Sequence, residues 1–286
     1  MNHERIFTNG VHLHVVTAGP ADGPLVLLLH GFPDFWYGFR RQLAFLADRG
    51  FRVMAPDQRG YNESDKPEGV SAYRIEELTA DVLGLIQAAG REKAVVVGHD
   101  WGGGVAWNVA MTHPEKVERL AVLNVPHGLV MMKTLRDNPR QLLKSWYMFL
   151  FQLPFLPEKM LTARGSRPAF DAIARDAAPG AFTEEDFARY SEAWGRPGAA
   201  TGMINWYRAM LRHRPRLPTA EQARIRVPAM LVWGTAEKFL LRSMAEESIA
   251  LCDRGRLELV EGASHWVQDD APDRVNALLA GFLDER

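Results

Sequence analysis

Short apolar runs alternate with amphipathic stretches through the first half of the chain; the rhythm breaks in the middle and returns near the end. Leu25-Val26-Leu27-Leu28-Leu29 is apolar without interruption, as expected of a central strand buried on both faces. Before it, Val11–Ala18 mixes β-branched and polar residues and is closed by Gly-Pro and Asp-Gly turn signals. Similar runs over 52–55, 94–97 and 117–124 predict further strands, the first two stopped by Pro56 and Gly98. Between them, 39–49, 74–89 and 103–112 carry helical spacing, and Ile75, Leu78, Val82, Leu85 and Ile86 form one apolar stripe.

The late part of the chain repeats the pattern, with strands over 229–233 and 257–260 and helices over 243–251 and 272–283. Strands alternating with helices predict an α/β fold whose mostly parallel sheet is covered on both faces. From about 128 to 217 no strand pattern occurs, while Trp, Tyr, Phe, Met and Pro accumulate, as in Trp146-Tyr147-Met148-Phe149-Leu150-Phe151. The economical organisation is a core of 1–127 and 218–286, with a helical cap over 128–217 inserted between two parts of one sheet.

Composition narrows the class without naming the chemistry. Hydrophobic residues at 47% and charged residues at 24% fit an ordinary soluble globular protein. A net charge of -1 leaves no basic surplus for a nucleic-acid or membrane-surface partner. Cys252 is the single cysteine and cannot form an internal disulfide. The charged start, Met1-Asn2-His3-Glu4-Arg5, lacks the apolar region of a signal peptide, and no run approaches the roughly 20 residues of a membrane span. A cytoplasmic protein is expected.

The sharpest chemical signal is Gly98-His99-Asp100-Trp101-Gly102-Gly103-Gly104, set between a buried-strand pattern and a helix. It resembles the nucleophile elbow of α/β-hydrolase-fold enzymes, G-x-nucleophile-x-G, with Asp100 where serine hydrolases carry Ser. Small neighbours permit the sharp turn, and the start of the helix favours an anion there. A glycine-rich turn capped by Asp would explain the heptapeptide alone, but not what accompanies it. His30-Gly31-Phe32-Pro33 ends a central strand, where this fold places an oxyanion-hole donor, so the Phe32 and Trp101 N–H groups are the expected pair. His265, in Gly262-Ala263-Ser264-His265-Trp266, follows the last strand, in the required order after nucleophile and acid. Glu237 follows the penultimate strand, the usual acid position. The alternative acid position holds Asn124, which supplies no negative charge.

Further runs carry a closer resemblance. Leu28-Leu29-His30-Gly31-Phe32-Pro33-Asp34-Phe35-Trp36-Tyr37, Ala55-Pro56-Asp57-Gln58-Arg59-Gly60-Tyr61 and Ser64-Asp65-Lys66-Pro67, taken with the elbow, resemble α/β-hydrolase-fold epoxide hydrolases over essentially the whole chain. Departures are Asn62 where Gly is frequent and Glu237 where Asp is usual. The resemblance implies that two cap tyrosines hold and protonate the epoxide oxygen. Tyr147, before Met148-Phe149-Leu150-Phe151, and Tyr207, in Asn205-Trp206-Tyr207-Arg208, match those positions.

The implied function is hydrolysis of lipophilic epoxides to vicinal diols: Asp100 forms an alkyl ester, and water activated by His265, oriented by Glu237, releases it. A haloalkane dehalogenase would use the same Asp, but a halide leaves unprotonated, and such enzymes commonly take a second donor from an Asn in the position that Phe32 occupies here or from a Trp in the cap. A non-catalytic binding protein on this fold is the remaining alternative. Phe35, Trp36, Trp101 and Trp266 are expected to line an apolar substrate pocket. No metal or cofactor is expected. The partners are an epoxide and water, with a cap-mediated homodimer expected only by analogy.

Overall fold

The computed structural model describes residues 1–213 and 217–285. Its eight strands are β1 (Asn2–Thr8), β2 (Val11–Ala18), β3 (Leu25–Leu29), β4 (Arg52–Pro56), β5 (Ala94–His99), β6 (Val117–Leu123), β7 (Ile225–Gly234) and β8 (Cys252–Val260). They form one sheet in the order β1-β2-β4-β3-β5-β6-β7-β8, antiparallel at β1/β2 and β2/β4 and parallel elsewhere. The α/β expectation stands.

The strands follow the predicted runs except at the polar edges and in β7, which starts at Ile225 rather than Ala229. β1 has no apolar pattern, because most of its residues face solvent and only one of its edges is paired. Its readable signal is Asn9-Gly10: both residues have positive φ, 45° and 76°, and they join β1 to β2 as a two-residue hairpin. β8 begins at Cys252, earlier than the apolar residues indicate, since Cys252, Arg254 and Gly255 pair with β7 although Arg254 and Gly255 are exposed.

Six helices flank this sheet: α1 (Arg40–Asp48), α2 (Ile75–Ala88), α3 (Trp101–Thr112) and, late in the chain, three described below. Between β6 and β7 the described residues form α4 (Gly128–Asp137), α5 (Pro139–Lys144), α6 (Trp146–Leu150), α7 (Leu156–Thr162), α8 (Arg167–Asp176), α9 (Glu184–Gly195) and α10 (Ala199–Arg212). The late helices are α11 (Ser243–Ile249), α12 (Val267–Asp270) and α13 (Pro272–Asp284). Alternation along each strand builds two cores. Val26 and Leu28 pack with Phe39, Leu43 and Leu46 near α1 and with Leu279 and Phe282 of α13. Leu25, Leu27 and Leu29 face the other way, toward the cluster that includes Leu78 and Val82 of α2 and Val105 of α3. All five β3 side chains are buried, each fully buried Leu or Val being worth about 1.5–3 kcal/mol.

The aromatic residues of α9 and α10 explain how the helical segment is seated. Tyr190 donates its hydroxyl to Asp34 at 2.8 Å, Trp194 Nε1 donates to the Pro33 carbonyl at 2.5 Å, and Trp206 Nε1 donates to the Arg59 carbonyl at 3.0 Å. Each ring buries a large apolar body and spends its polar tip on a loop of the sheet half. Among the described residues no helix is long and apolar enough to cross a membrane.

Candidate active site

From β3 the chain crosses to β4 on one side, and from the adjacent β5 it crosses to β6 on the other, so the connections after these two neighbours run in opposite directions. A crevice opens at the carboxyl ends of β3 and β5, the place where open α/β sheets bind ligands. The two motifs singled out in the sequence, His30-Gly31-Phe32-Pro33 and the Asp100 turn, end these two strands.

Asp100 sits between β5 and α3 with φ 49° and ψ -121°, a strained backbone for a residue with a side chain. Two glycines make the turn fit. A Cβ on Gly102 would fall 2.0 Å from the Leu29 carbonyl oxygen, and one on Gly31 would fall 2.4 Å from Asp100 Cβ. One carboxylate oxygen of Asp100 accepts the Phe32 N–H at 2.7 Å; the other lies 3.5 Å from His265 Nε2. The Trp101 N–H opens α3, where the first amide groups have no partner within the helix.

His265 follows β8. Its Nδ1 is 2.6 Å from Glu237, which follows β7. Its carbonyl accepts a hydrogen bond from His99 Nε2 at 2.8 Å, and its ring is walled by Phe239 and Trp266, at 5.3 and 5.1 Å between centroids. Glu237 also accepts the side-chain amide of Asn124 at 2.8 Å and the Phe239 N–H at 2.6 Å. The sequence reading credits Asn124 only with a missing charge. In the fold Asn124 is a strut, held by the Gly234 N–H and reaching both Glu237 and the Ser264 carbonyl.

The charges reinforce one another. Burial pushes the Asp100 carboxyl up, but hydrogen bonding and attraction to His265, with His99 and the Phe32 N–H, outweigh it and leave its pKa below the ordinary value. Burial likewise opposes ionisation of Glu237, and His265 together with Asn124 overcomes it. For His265, burial favours the neutral ring, yet the Glu237 and Asp100 carboxylates raise its pKa to about 10. The resting trio is carboxylate, imidazolium, carboxylate.

Above it, Tyr147 and Tyr207 come from α6 and α10, with ring centroids 5.9 Å apart. Tyr207 packs edge-on against Phe32 and Trp101, both at 5.1 Å, and Tyr147 against Phe239 at 6.1 Å. Burial first, then the Asp100 charge, pushes both phenol pKa values upward, so both keep their protons at neutral pH. Asp100, Trp101, Tyr147, Tyr207 and His265 line one cavity of about 400 Å³.

Three of the four residues expected to contact substrate lie off this cavity; only Trp101 lines it. Phe35 stacks on Tyr37 at 5.8 Å and meets Tyr190 edge-on at 5.2 Å, helping to seat α9. The Trp36 N–H is tied to Asp57 and its ring packs on His3 of β1. Trp266 supports the His265 ring from behind. Among the described residues no group of three or more His, Cys, Asp or Glu side chains is arranged to hold a metal ion.

Residues 24–272 match the model of the alpha/beta hydrolase fold family, and the chain belongs to that family. It is 48% identical over 280 residues to the AB hydrolase superfamily protein YfhM of Bacillus subtilis, covering 96% of each chain. It is 35% identical to Epoxide hydrolase 2 of Caenorhabditis elegans, covering 99% of this chain and 80% of that one. A crystal structure of the Bacillus megaterium epoxide hydrolase with an inhibitor superposes with a TM-score of 0.89 at 29% identity, covering 99% of this chain and all of that one.

Proposed function

We propose that the protein is an epoxide hydrolase acting on lipophilic epoxides, with Asp100 as nucleophile, His265 as general base and Glu237 as its orienting acid. The observation that carries this reading is the sharing of one cavity by the Asp100 carboxylate, His265 and two protonated phenols. The relatives named epoxide hydrolase support the same reaction class. Residues 128–217 act as a cap on the core of 1–127 and 218–286. Its exposed Leu143, Trp146, Phe149 and Phe155 supply apolar surface for the homodimer expected by analogy. A cytoplasmic setting fits the free, buried Cys252.

In the first step a carboxylate oxygen of Asp100 attacks an epoxide carbon, the ring C–O bond breaks, and an alkyl ester forms. The departing oxygen is about as basic as hydroxide, since water has a pKa of about 15.7. It takes a proton from Tyr147 or Tyr207, and a halide would need none. Esterification also removes the negative charge of Asp100, one of the interactions that hold the His265 proton. The proton affinity of His265 therefore falls, and its proton restores the tyrosine. Neutral His265 then accepts a proton from water, and the resulting hydroxide attacks the Asp100 carbonyl carbon. The Phe32 and Trp101 N–H groups face the oxyanion, and collapse releases the diol.

The test is His265→Gln, incubated with styrene oxide and, separately, with a bromoalkane, and followed by intact mass. The epoxide should leave a stable adduct on Asp100. In wild-type single turnover in ¹⁸O-water the new diol oxygen should arrive unlabelled from the carboxylate. No adduct and no diol across a panel of epoxides would sink the proposal, and an adduct from the bromoalkane alone would favour dehalogenation.

A further inference from the structure

Two buried side chains behind the base have no part in the mechanism as proposed. His99 ends β5 and directly precedes Asp100; Gln268 lies in α12, three residues beyond His265. Both are fully buried, at 0% exposure. They form a hydrogen-bonded line that ends on the base. The Gln268 side-chain amide nitrogen lies 3.3 Å from His99 Nδ1, and His99 Nε2 donates to the His265 carbonyl at 2.8 Å. The Gln268 carbonyl in turn accepts the side-chain amide of Gln42, from α1, at 3.2 Å.

This line fixes the state of the His99 ring. A carbonyl only accepts, so Nε2 must carry a proton. A second proton would create a cation whose ring centroid is 5.0 Å from that of the His265 imidazolium. Burial first, then the His265 charge, lowers the His99 pKa to about 4, so the ring is neutral at physiological pH. Nδ1 therefore keeps its lone pair and accepts from Gln268. His99 is a donor of fixed tautomer that adds no charge beside the base.

The use of this donor follows from the way His265 is held. Its Nδ1 meets Glu237 at 2.6 Å, but its Nε2 is 3.5 Å from Asp100, beyond the usual range of a hydrogen bond. One close contact at Nδ1 leaves the ring free to swing about that nitrogen. The bond from His99 to the His265 carbonyl adds a second anchor, and His99 is joined covalently to Asp100. Nucleophile and base are therefore held in register through one hydrogen bond.

We propose that His99 is a positioning residue for the second step: its Nε2–H anchors the His265 carbonyl, so that the base faces the Asp100 ester when water attacks. The proposal rests on the epoxide-hydrolysis reading. Alkylation needs the Asp100 carboxylate and a phenol proton, and this bond holds neither. Hydrolysis needs His265 in place beside the ester. Loss of the anchor should therefore fall on hydrolysis.

The experiment times alkylation and ester hydrolysis separately with styrene oxide, by rapid quench and intact mass. In His99→Leu hydrolysis should slow roughly tenfold, the scale of one hydrogen bond, with alkylation within about twofold of wild type. His99→Gln restores a side-chain N–H donor and should recover most of the loss. Gln268→Leu keeps His99 and decides the matter if His99→Leu does not fold; it should slow hydrolysis about threefold and leave alkylation unchanged. In the wild type, the ring ¹⁵N signals of His99, assigned by their absence from His99→Gln, should show the proton on Nε2 near neutral pH. A proton on Nδ1 overturns the proposal. So does equal slowing of both steps in the Leu variants, the mark of a purely structural residue, or hydrolysis at the wild-type rate in His99→Leu. A wild type that styrene oxide does not alkylate would bring down the epoxide reading and this proposal with it, whereas alkylation with an unchanged ratio of the two steps brings down this proposal alone.

Discussion

Asp100, Glu237 and His265 come from loops at the ends of sheet strands, and directional bonds fix each of them. Glu237 alone accepts from Asn124 and Phe239 while pairing with His265. Tyr147 and Tyr207 come from the helical segment and are positioned mainly by ring packing, with neighbouring rings 4.9 to 6.1 Å away. The difference follows from the two tasks. A buried carboxylate–imidazolium–carboxylate set is stable only where each charge has partners at hand, and sheet-end loops provide them. On the proposed mechanism a proton donor above a substrate needs its O–H free, and the Tyr207 oxygen accepts a hydrogen bond from the Trp101 side chain, which leaves its own proton to give. The charged half should therefore be intolerant of change, and the aromatic half graded.

The largest effect tests the charged half. Asp100→Ala should lower kcat on styrene oxide by about 10⁴ or more, as removal of a nucleophile does in comparable sets. Retention of more than a tenth of the activity would show that the sheet-end carboxylate is not the centre of the chemistry. The aromatic half should respond by degrees. Tyr147→Phe and Tyr207→Phe should each cost roughly 10² to 10³ in the alkylation rate, the usual value of one oriented donor. Hydrolysis of the preformed ester, followed by stopped flow, should change far less. Equal losses in both steps would mean that the tyrosines shape the site rather than protonate the leaving oxygen.

The smallest effect separates the halves by pH. The pKa of His265 is raised from 6.5 to about 10, so its contribution to stability is full below pH 6.5 and lost as pH climbs through about 10. Glu237 and Asp100 are lowered, so their contributions hold above their ordinary values and fade as acid protonates them. The melting temperature should fall by a few degrees between pH 6.5 and 10, and His265→Gln should flatten that fall. The phenols, pushed well above their ordinary range, add nothing in this window. A decline of equal size in His265→Gln would place its origin elsewhere.

The fold was legible where burial dictates residue type. β3 is apolar throughout and β5 from Ala94 to Val97, because both faces of a central strand are covered. β1 left no such trace, since an edge strand facing water tolerates almost any side chain; only its Asn9-Gly10 turn was readable. The aromatic expectations divide in the same way. Trp101 reaches the cavity, but Phe35, Trp36 and Trp266 pack against other rings. An apolar side chain is equally suited to a core and to a pocket wall, and composition does not distinguish them.

By itself the sequence determined the chemistry available: a carboxylate in a glycine-bounded turn, a histidine after the last strand and an acid before it. Local chain geometry requires particular residues there, because few others fit so tight a turn. Only the tertiary structure decided that Asn124 braces Glu237 and that Tyr147 and Tyr207 share a cavity with Asp100. These relations join residues far apart in the chain, where spacing along the sequence carries no record of distance in space.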